Sequence, residues 1–187
     1  SLLVYVCKKL KRRQSRCPSF KNTTSFLMFT INCKGKILSI EQPIVMGILN
    51  ATPDSFYKGD LNDHNVLERI RLMVEQGAAI IDVGGQSTRP GSLRIAPAEE
   101  LERILPFIEH IATTHPAVFI SVDTYHSLVA REAVLAGAHM VNDVSAGNMD
   151  AEMIPTVAAL GVPYVCMHMK GMPETMQQNP VYTNILK

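Results

Sequence analysis

Five short apolar runs in this 187-residue sequence each end in side chains able to do chemistry. Asn50, Thr52, Pro53, Asp54 and Ser55 follow Pro43–Leu49 (PIVMGIL). Gly84–Gly91 (GGQSTRPG) follows Ala79–Val83. Asp123 and Thr124 follow Val118–Val122 (VFISV), Asn142 and Asp143 follow His139–Val141, and His168 follows Val162–Met167 (VPYVCM). The second loop places backbone N–H groups at Gly84 and Gly85 beside the hydroxyls of Ser87 and Thr88 and the guanidinium of Arg89. Such a set suits a phosphate or pyrophosphate; an ordinary turn with a solvated Arg reads equally well.

Asp123 closes an apolar strand, where a partly buried carboxylate must find donors or shift its pKa. A heterocycle with an adjacent ring N–H and amino group would supply two donors, whereas the simpler role is to cap the following helix. Asn142, on the neighbouring strand end, both donates and accepts. An Asp beside an Asn suits an edge of mixed donors and acceptors, as on a pterin ring. Asn50 and Asp54 offer oxygens of the kind Mg²⁺ takes, with waters and substrate phosphates completing the shell; Pro-Asp-Ser is also a common turn. His168 reads as a hydrogen-bonded core histidine and Cys166 as inert packing inside an apolar strand. No Ser–His–Asp set or carboxylate pair suggests covalent acyl or glycosyl chemistry.

These groups need elements to hold them. Apolar positions 66, 67, 70, 73 and 74 form one helical face over Asn65–Gln76, with Asn65 as N-cap and Gly77 as the stop. A second helix is predicted from Pro97 to about Thr113, kinked or shortened by Pro106. Further helices are expected over Ser127–Ala136, closed by Gly137, and within Asp150–Leu160. The strands are apolar throughout rather than alternating, as in a covered parallel sheet. Polar groups at five successive strand ends favour a TIM (β/α)₈ barrel, whose site is shared among all βα loops, over an open sheet with one switch point. The five strands use up the sequence by Met167, so the expectation is a barrel truncated after about five βα units.

Charge divides the chain. Residues 1–40 hold nine Lys/Arg and no Asp or Glu; residues 41–187 hold nine Lys/Arg and all 17 acids. The basic leader, residues 1–27, is expected to be disordered or not native, and dispensable; a transit peptide is the lesser alternative. Four cysteines without C-x-x-C spacing support neither a disulfide framework nor a zinc site and suggest a reducing, cytoplasmic setting. No apolar run is long enough for a membrane span.

Taken together, Gly47–Phe56 (GILNATPDSF), Asp82–Gly91 (DVGGQSTRPG), Ser121–Thr124 (SVDT), Val141–Val144 (VNDV) and Met167–Met169 (MHM) closely resemble dihydropteroate synthase, in that family's order and spacing, over about residues 29–187. The resemblance implies condensation of 6-hydroxymethyl-7,8-dihydropterin pyrophosphate with p-aminobenzoate, releasing pyrophosphate, in folate biosynthesis. It implies Mg²⁺ held by Asn50, with Thr88 touching the pyrophosphate. Asp123 and Asn142 would read the pterin, with Met167 packing near it. The loops carrying Thr52–Ser55 and Ser87–Arg89 would close over the substrates, making Asp54 and Arg89 the catalytic pair. Partners would be small molecules, not nucleic acid or membrane, and the full-length protein a homodimer.

Two departures stand out. Tyr57–Lys58–Gly59–Asp60 replaces the family's common Ser-Asp-Gly-Gly. The family's later pterin-binding Asp, its Lys and its Arg-x-His pair would fall beyond Lys187, so this chain alone is expected to be inactive. Alternatives are a methyltetrahydrofolate-binding methyltransferase domain, which should lack the Ser-Thr-Arg-Pro-Gly loop, and a non-catalytic fragment.

Overall fold

The computed structural model describes residues 5–7, 29–52, 64–87 and 94–167. In chain order its elements are β1 (Tyr5–Cys7), β2 (Phe29–Cys33), β3 (Lys36–Ile40), β4 (Val45–Asn50), α1 (His64–Glu75), β5 (Ala78–Gly84), α2 (Pro97–Thr114), β6 (Phe119–Asp123), α3 (Ser127–Leu135), β7 (Met140–Asp143), α4 (Met153–Leu160) and β8 (Tyr164–Cys166). One sheet runs β1-β4-β5-β6-β7-β8, with every neighbouring pair parallel. From β4 to β8, sequence order and spatial order coincide. A doubly wound sheet must reverse its order at a switch point; this one does not, and its strands form a continuous stretch of barrel wall. Three residues of the basic leader form β1, which lies along the free edge of β4.

The two faces of the wall are covered differently. Leu49, Ile81, Val83, Ile120, Val122 and Val141 point outward and pack with Ile70 of α1, Ile104, Phe107, Ile108 and Ile111 of α2, Val129 of α3 and Met153 of α4. The lower part of the inner face, Met46, Ile80, Phe119 and Met140, packs instead against Cys33, Leu38 and Ile40 of the antiparallel β2–β3 hairpin. The hairpin therefore floors the barrel interior. Its turn takes positive φ at both Lys34 (54°) and Gly35 (90°), the conformation a two-residue hairpin turn needs to match strand twist. Asn32 Oδ1 accepts from the Gly35 N–H at 2.8 Å. Lys36 ties the hairpin to the wall, donating to the carbonyls of Pro116 (2.7 Å) and Val118 (2.9 Å), with its ammonium 4.2 Å from the Phe119 ring centroid. Burial lowers its proton affinity.

Three expectations need correction. Asn65 is not an N-cap, because α1 already includes His64 and Asn65 lies inside its first turn. Pro106 does not shorten α2, which runs 18 residues through it. The carbonyl that loses its partner belongs to Glu102, an exposed residue whose backbone water can reach. Cys166 is exposed, not packed, because β8 is the outer strand of the described sheet. Gly77 (φ 92°) and Gly137 (φ 122°) stop their helices as expected, and Pro155 sits within the first turn of α4, where its missing N–H costs nothing.

Candidate functional site

Parallel register turns the inner face of the wall into rows. Asn50, Gly84, Asp123, Asn142 and Val165 stand side by side in the uppermost row, at the C-terminal ends of the strands. Two residues lower come Ile48, Asp82, Ser121 and Met140, and below them Met46, Ile80 and Phe119. The upper row thus unites three of the residues singled out from sequence, Asn50, Asp123 and Asn142, on the face that would line a barrel mouth. Thr52 is buried just beyond Asn50, and Ser87 is partly buried beyond Gly84. Met167 is exposed after β8, its N–H donating to the Asp143 carbonyl at 3.2 Å. Asp54, Thr88, Arg89 and His168 lie outside the described residues.

Asp123 does not cap α3. The N-terminal position of that helix is His126, and the Ser127 N–H is satisfied by Asp150 Oδ2 at 2.6 Å, reaching over from the segment before α4. With the capping task met elsewhere, the Asp123 side chain leans across Gly84: a Cβ on that glycine would sit 3.4 Å from both Asp123 Cβ and Oδ2.

The paired glycines have separate jobs. Gly84 leaves room beside the Asp123 carboxylate. Gly85 lets α2 approach, since a Cβ there would fall 2.9 Å from Ile104 Cγ2 and 3.0 Å from the Glu100 carbonyl oxygen. Arg103 donates to the Gly85 carbonyl at 2.9 Å, and the Gly84 carbonyl accepts from the Ala51 N–H at 2.7 Å. The start of the β5–α2 loop is thereby fixed to both neighbours. Gln86, at its foot, donates to Tyr125 Oη. Behind them the buried Glu100 accepts from the His126 Nδ1–H at 2.8 Å.

The sequence reading assigns no role to two buried carboxylates, although it places Asp143 at a strand end. Asp82, on the second row, accepts from Asn142 Nδ2 at 3.0 Å, while its Oδ1 has no partner. Burial pushes its carboxyl above the usual range, opposed by the nearby Ser121 hydroxyl and the Asn142 amide. Asp143 is fully buried and collects four donors: Ser145 N–H (2.7 Å), Ser145 Oγ (2.8 Å), Gly147 N–H (2.8 Å) and Tyr164 Oη (2.6 Å). Burial and that bond to Asp143 raise the Tyr164 phenol's pKa. This carboxylate holds the β7–α4 turn, in which Ala146 (φ 54°) and Gly147 (φ 79°) are both left-handed, and so fixes the backbone next to Asn142. The sequence signal for both was an acidic residue within or ending an otherwise apolar strand.

Among the described residues, no group of three or more His, Cys, Asp or Glu side chains could hold a metal. Nor is any helix of the described residues long and apolar enough to cross a membrane.

The profile of the family described as pterin binding enzyme matches residues 46–187. The chain is 51% identical over 151 residues to the mitochondrial folate synthesis bifunctional protein of Pisum sativum, covering 77% of this chain and 29% of that protein. It is 42% identical over 154 residues to the dihydropteroate synthase of Escherichia coli (strain K12), covering 81% and 54%. The solved dihydropteroate synthase of Yersinia pestis in a sulfonamide drug complex superposes with a TM-score of 0.76 at 38% identity, over 84% of this chain and 57% of that one. That of Xanthomonas albilineans with 4-aminobenzoic acid gives 0.71 at 40% identity, over 82% and 54%. The chain spans about half the length of these synthases, and less of the bifunctional protein.

Proposed function

Since this chain belongs to the pterin binding enzyme family, we propose that its upper row is the pterin-reading part of a dihydropteroate synthase site, serving the condensation of 6-hydroxymethyl-7,8-dihydropterin pyrophosphate with p-aminobenzoate. The observation that carries this is the adjacency of Asp123 and Asn142 in register on the inner face, at the C-terminal ends of β6 and β7. Asp123 accepts from the ring N–H and amino group of the pterin, and Asn142 meets the neighbouring mixed edge.

Asn50 ends β4 beside Gly84 and offers a single neutral oxygen. That fits Mg²⁺ only as a cation brought in with its substrate, since the remaining oxygens must come from pyrophosphate and water. Bound there, Mg²⁺ would neutralise charge on the departing pyrophosphate. Thr52 and Ser87 flank the same end of the wall, and Thr88, Asp54 and Arg89 are assigned by resemblance to the two loops that close over pyrophosphate and p-aminobenzoate. Arg89 stabilises the leaving group, and the arylamine attacks the pterin methylene without a strong base. Met167 packs beside the pterin. The protein acts on small molecules, and its place of work is the cytoplasm or, where the basic leader directs import, an organelle.

Titration calorimetry of the chain with the pterin pyrophosphate and Mg²⁺ tests the reading. Asp123→Asn puts an amide donor against a ligand donor and should weaken binding by ~1–3 kcal/mol, roughly five- to 150-fold. An unchanged Kd removes Asp123 from the site.

A further inference from the structure

We propose that Asp82 is a positioning residue, which locks the amide of Asn142 with Nδ2 turned down toward itself and Oδ1 presented to the ligand. This rests on the reading of Asn142 as a pterin contact. The geometry is specific. Asp82 and Asn142 stand on different strands and different rows, with β6 between them, so the amide reaches across the wall over Ser121 to make a 3.0 Å bond. Asp82 is 3% exposed and Ser121 fully buried, so water cannot readily take the acceptor's place.

An asparagine amide has no preferred face of its own; its oxygen and nitrogen are nearly the same size and exchange by a flip about one torsion. A site that reads a heterocycle needs the acceptor on a defined side, because a flipped amide would oppose donor to donor. A carboxylate accepts only, and therefore selects one of the two orientations. Among the described residues Asp82 Oδ1 makes no well-formed hydrogen bond, and the buried Ser121 hydroxyl lies near the carboxylate. Helix and strand packing do not use it. A buried polar pair of this kind costs stability relative to an apolar isostere, and the orientation of Asn142 is what it supplies in return.

The test uses the full 187-residue chain and has two arms. In the first, without ligand, nitrogen-15-labelled asparagine is followed by NMR. Asn142 Nδ2 should show one slowly exchanging, downfield proton in the wild type. Asp82→Ala, and the more space-filling Asp82→Leu, should return it to the values of a free amide. An Asn142 amide already free in the wild type, a result that needs no variant to fold, overturns the proposal.

In the second arm, Kd for the pterin pyrophosphate with Mg²⁺ is measured in a double-mutant cycle. Asp82→Ala should weaken binding about tenfold when Asn142 is present and less than about twofold in Asn142→Ala, whereas Asp82→Asn, which keeps an acceptor, should stay within about threefold of wild type. Equal losses in both backgrounds mean a merely structural Asp82 and refute the inference. If the wild type binds no pterin while the amide is locked, the functional reading falls and the positioning stands.

Discussion

Replacing Asp143 by Asn changes one atom and should cost about 3–4 kcal/mol of folding stability. Oδ1 receives the Ser145 N–H and hydroxyl, and Oδ2 receives the Gly147 N–H and the Tyr164 phenol. An Asn side chain satisfies one of these pairs with its oxygen and confronts the other with its own amide hydrogens. Whichever way it turns, the hydroxyl partner (Ser145 or Tyr164) can rotate to accept, but the backbone N–H beside it cannot. One buried N–H is left orphaned, worth ~1–3 kcal/mol, and the surviving bonds lose charge assistance, roughly another 1–2 kcal/mol together. Tyr164→Phe removes one donor of four and leaves the carboxylate with three, so it should cost less, ~1.5 kcal/mol. Urea unfolding followed by circular dichroism reads both, with an unchanged m-value showing that stability alone has moved. A loss below about 1 kcal/mol in Asp143→Asn, or an equal loss in Tyr164→Phe, would show that the four bonds do not hold the turn.

His139 should make stability fall on mild acidification. Its Nδ1 accepts from the Ile120 N–H at 3.1 Å, and burial, with Lys36 and Lys34 nearby, lowers its pKa to about 4. The unfolded chain takes up the proton first, so this contribution is intact above about pH 6.5 and is lost as pH falls toward 4. With the side chain half exposed, the loss should be ~1 kcal/mol rather than the full linkage value; urea midpoints at pH 7 and pH 4.5 should fall more for wild type than for His139→Asn. Gly85→Ala should destabilise by ~1–3 kcal/mol, because its Cβ meets helix backbone. Gly84→Ala, whose Cβ only touches the Asp123 carboxylate, should instead leave the urea midpoint nearly unchanged while shifting the pterin Kd.

The alternation of strand and helix from Pro43 onward was legible because buried parallel strands are continuous apolar runs and each helix carries a single apolar stripe. The upper row was legible for the same reason: a polar residue ending such a run has few places to point. The hairpin went unread, although Phe29–Cys33 and Lys36–Ile40 flank a Gly-containing turn, because Lys34 is an unusual residue for positive φ. Asp82 was visible only as part of a motif. Its partner stands 60 residues away, and no local pattern announces a bond that crosses an intervening strand. The capping of α3 was unreadable likewise, since the group that does it, Asp150, comes after the helix in sequence.

The apolar floor gives the interior a scale of depth. Neighbouring rows lie two residues apart along the strands, about 6–7 Å, and the side chains change from Asn50, Asp123 and Asn142, through Asp82 and Ser121, to Met46, Ile80 and Phe119, with the fully buried Cys33 beneath. Polar partners therefore exist for roughly one ring's breadth below the mouth and then stop. On the proposed reading, a molecule entering from above would be sorted by how far from its leading edge its donors and acceptors lie: too deep, and a polar atom is pressed into hydrocarbon. Exchanging the floor residues for smaller ones would lengthen the scale without touching a single polar contact. On the proposed reading of the upper row, the hairpin would limit ligand size from the opposite end of the barrel wall.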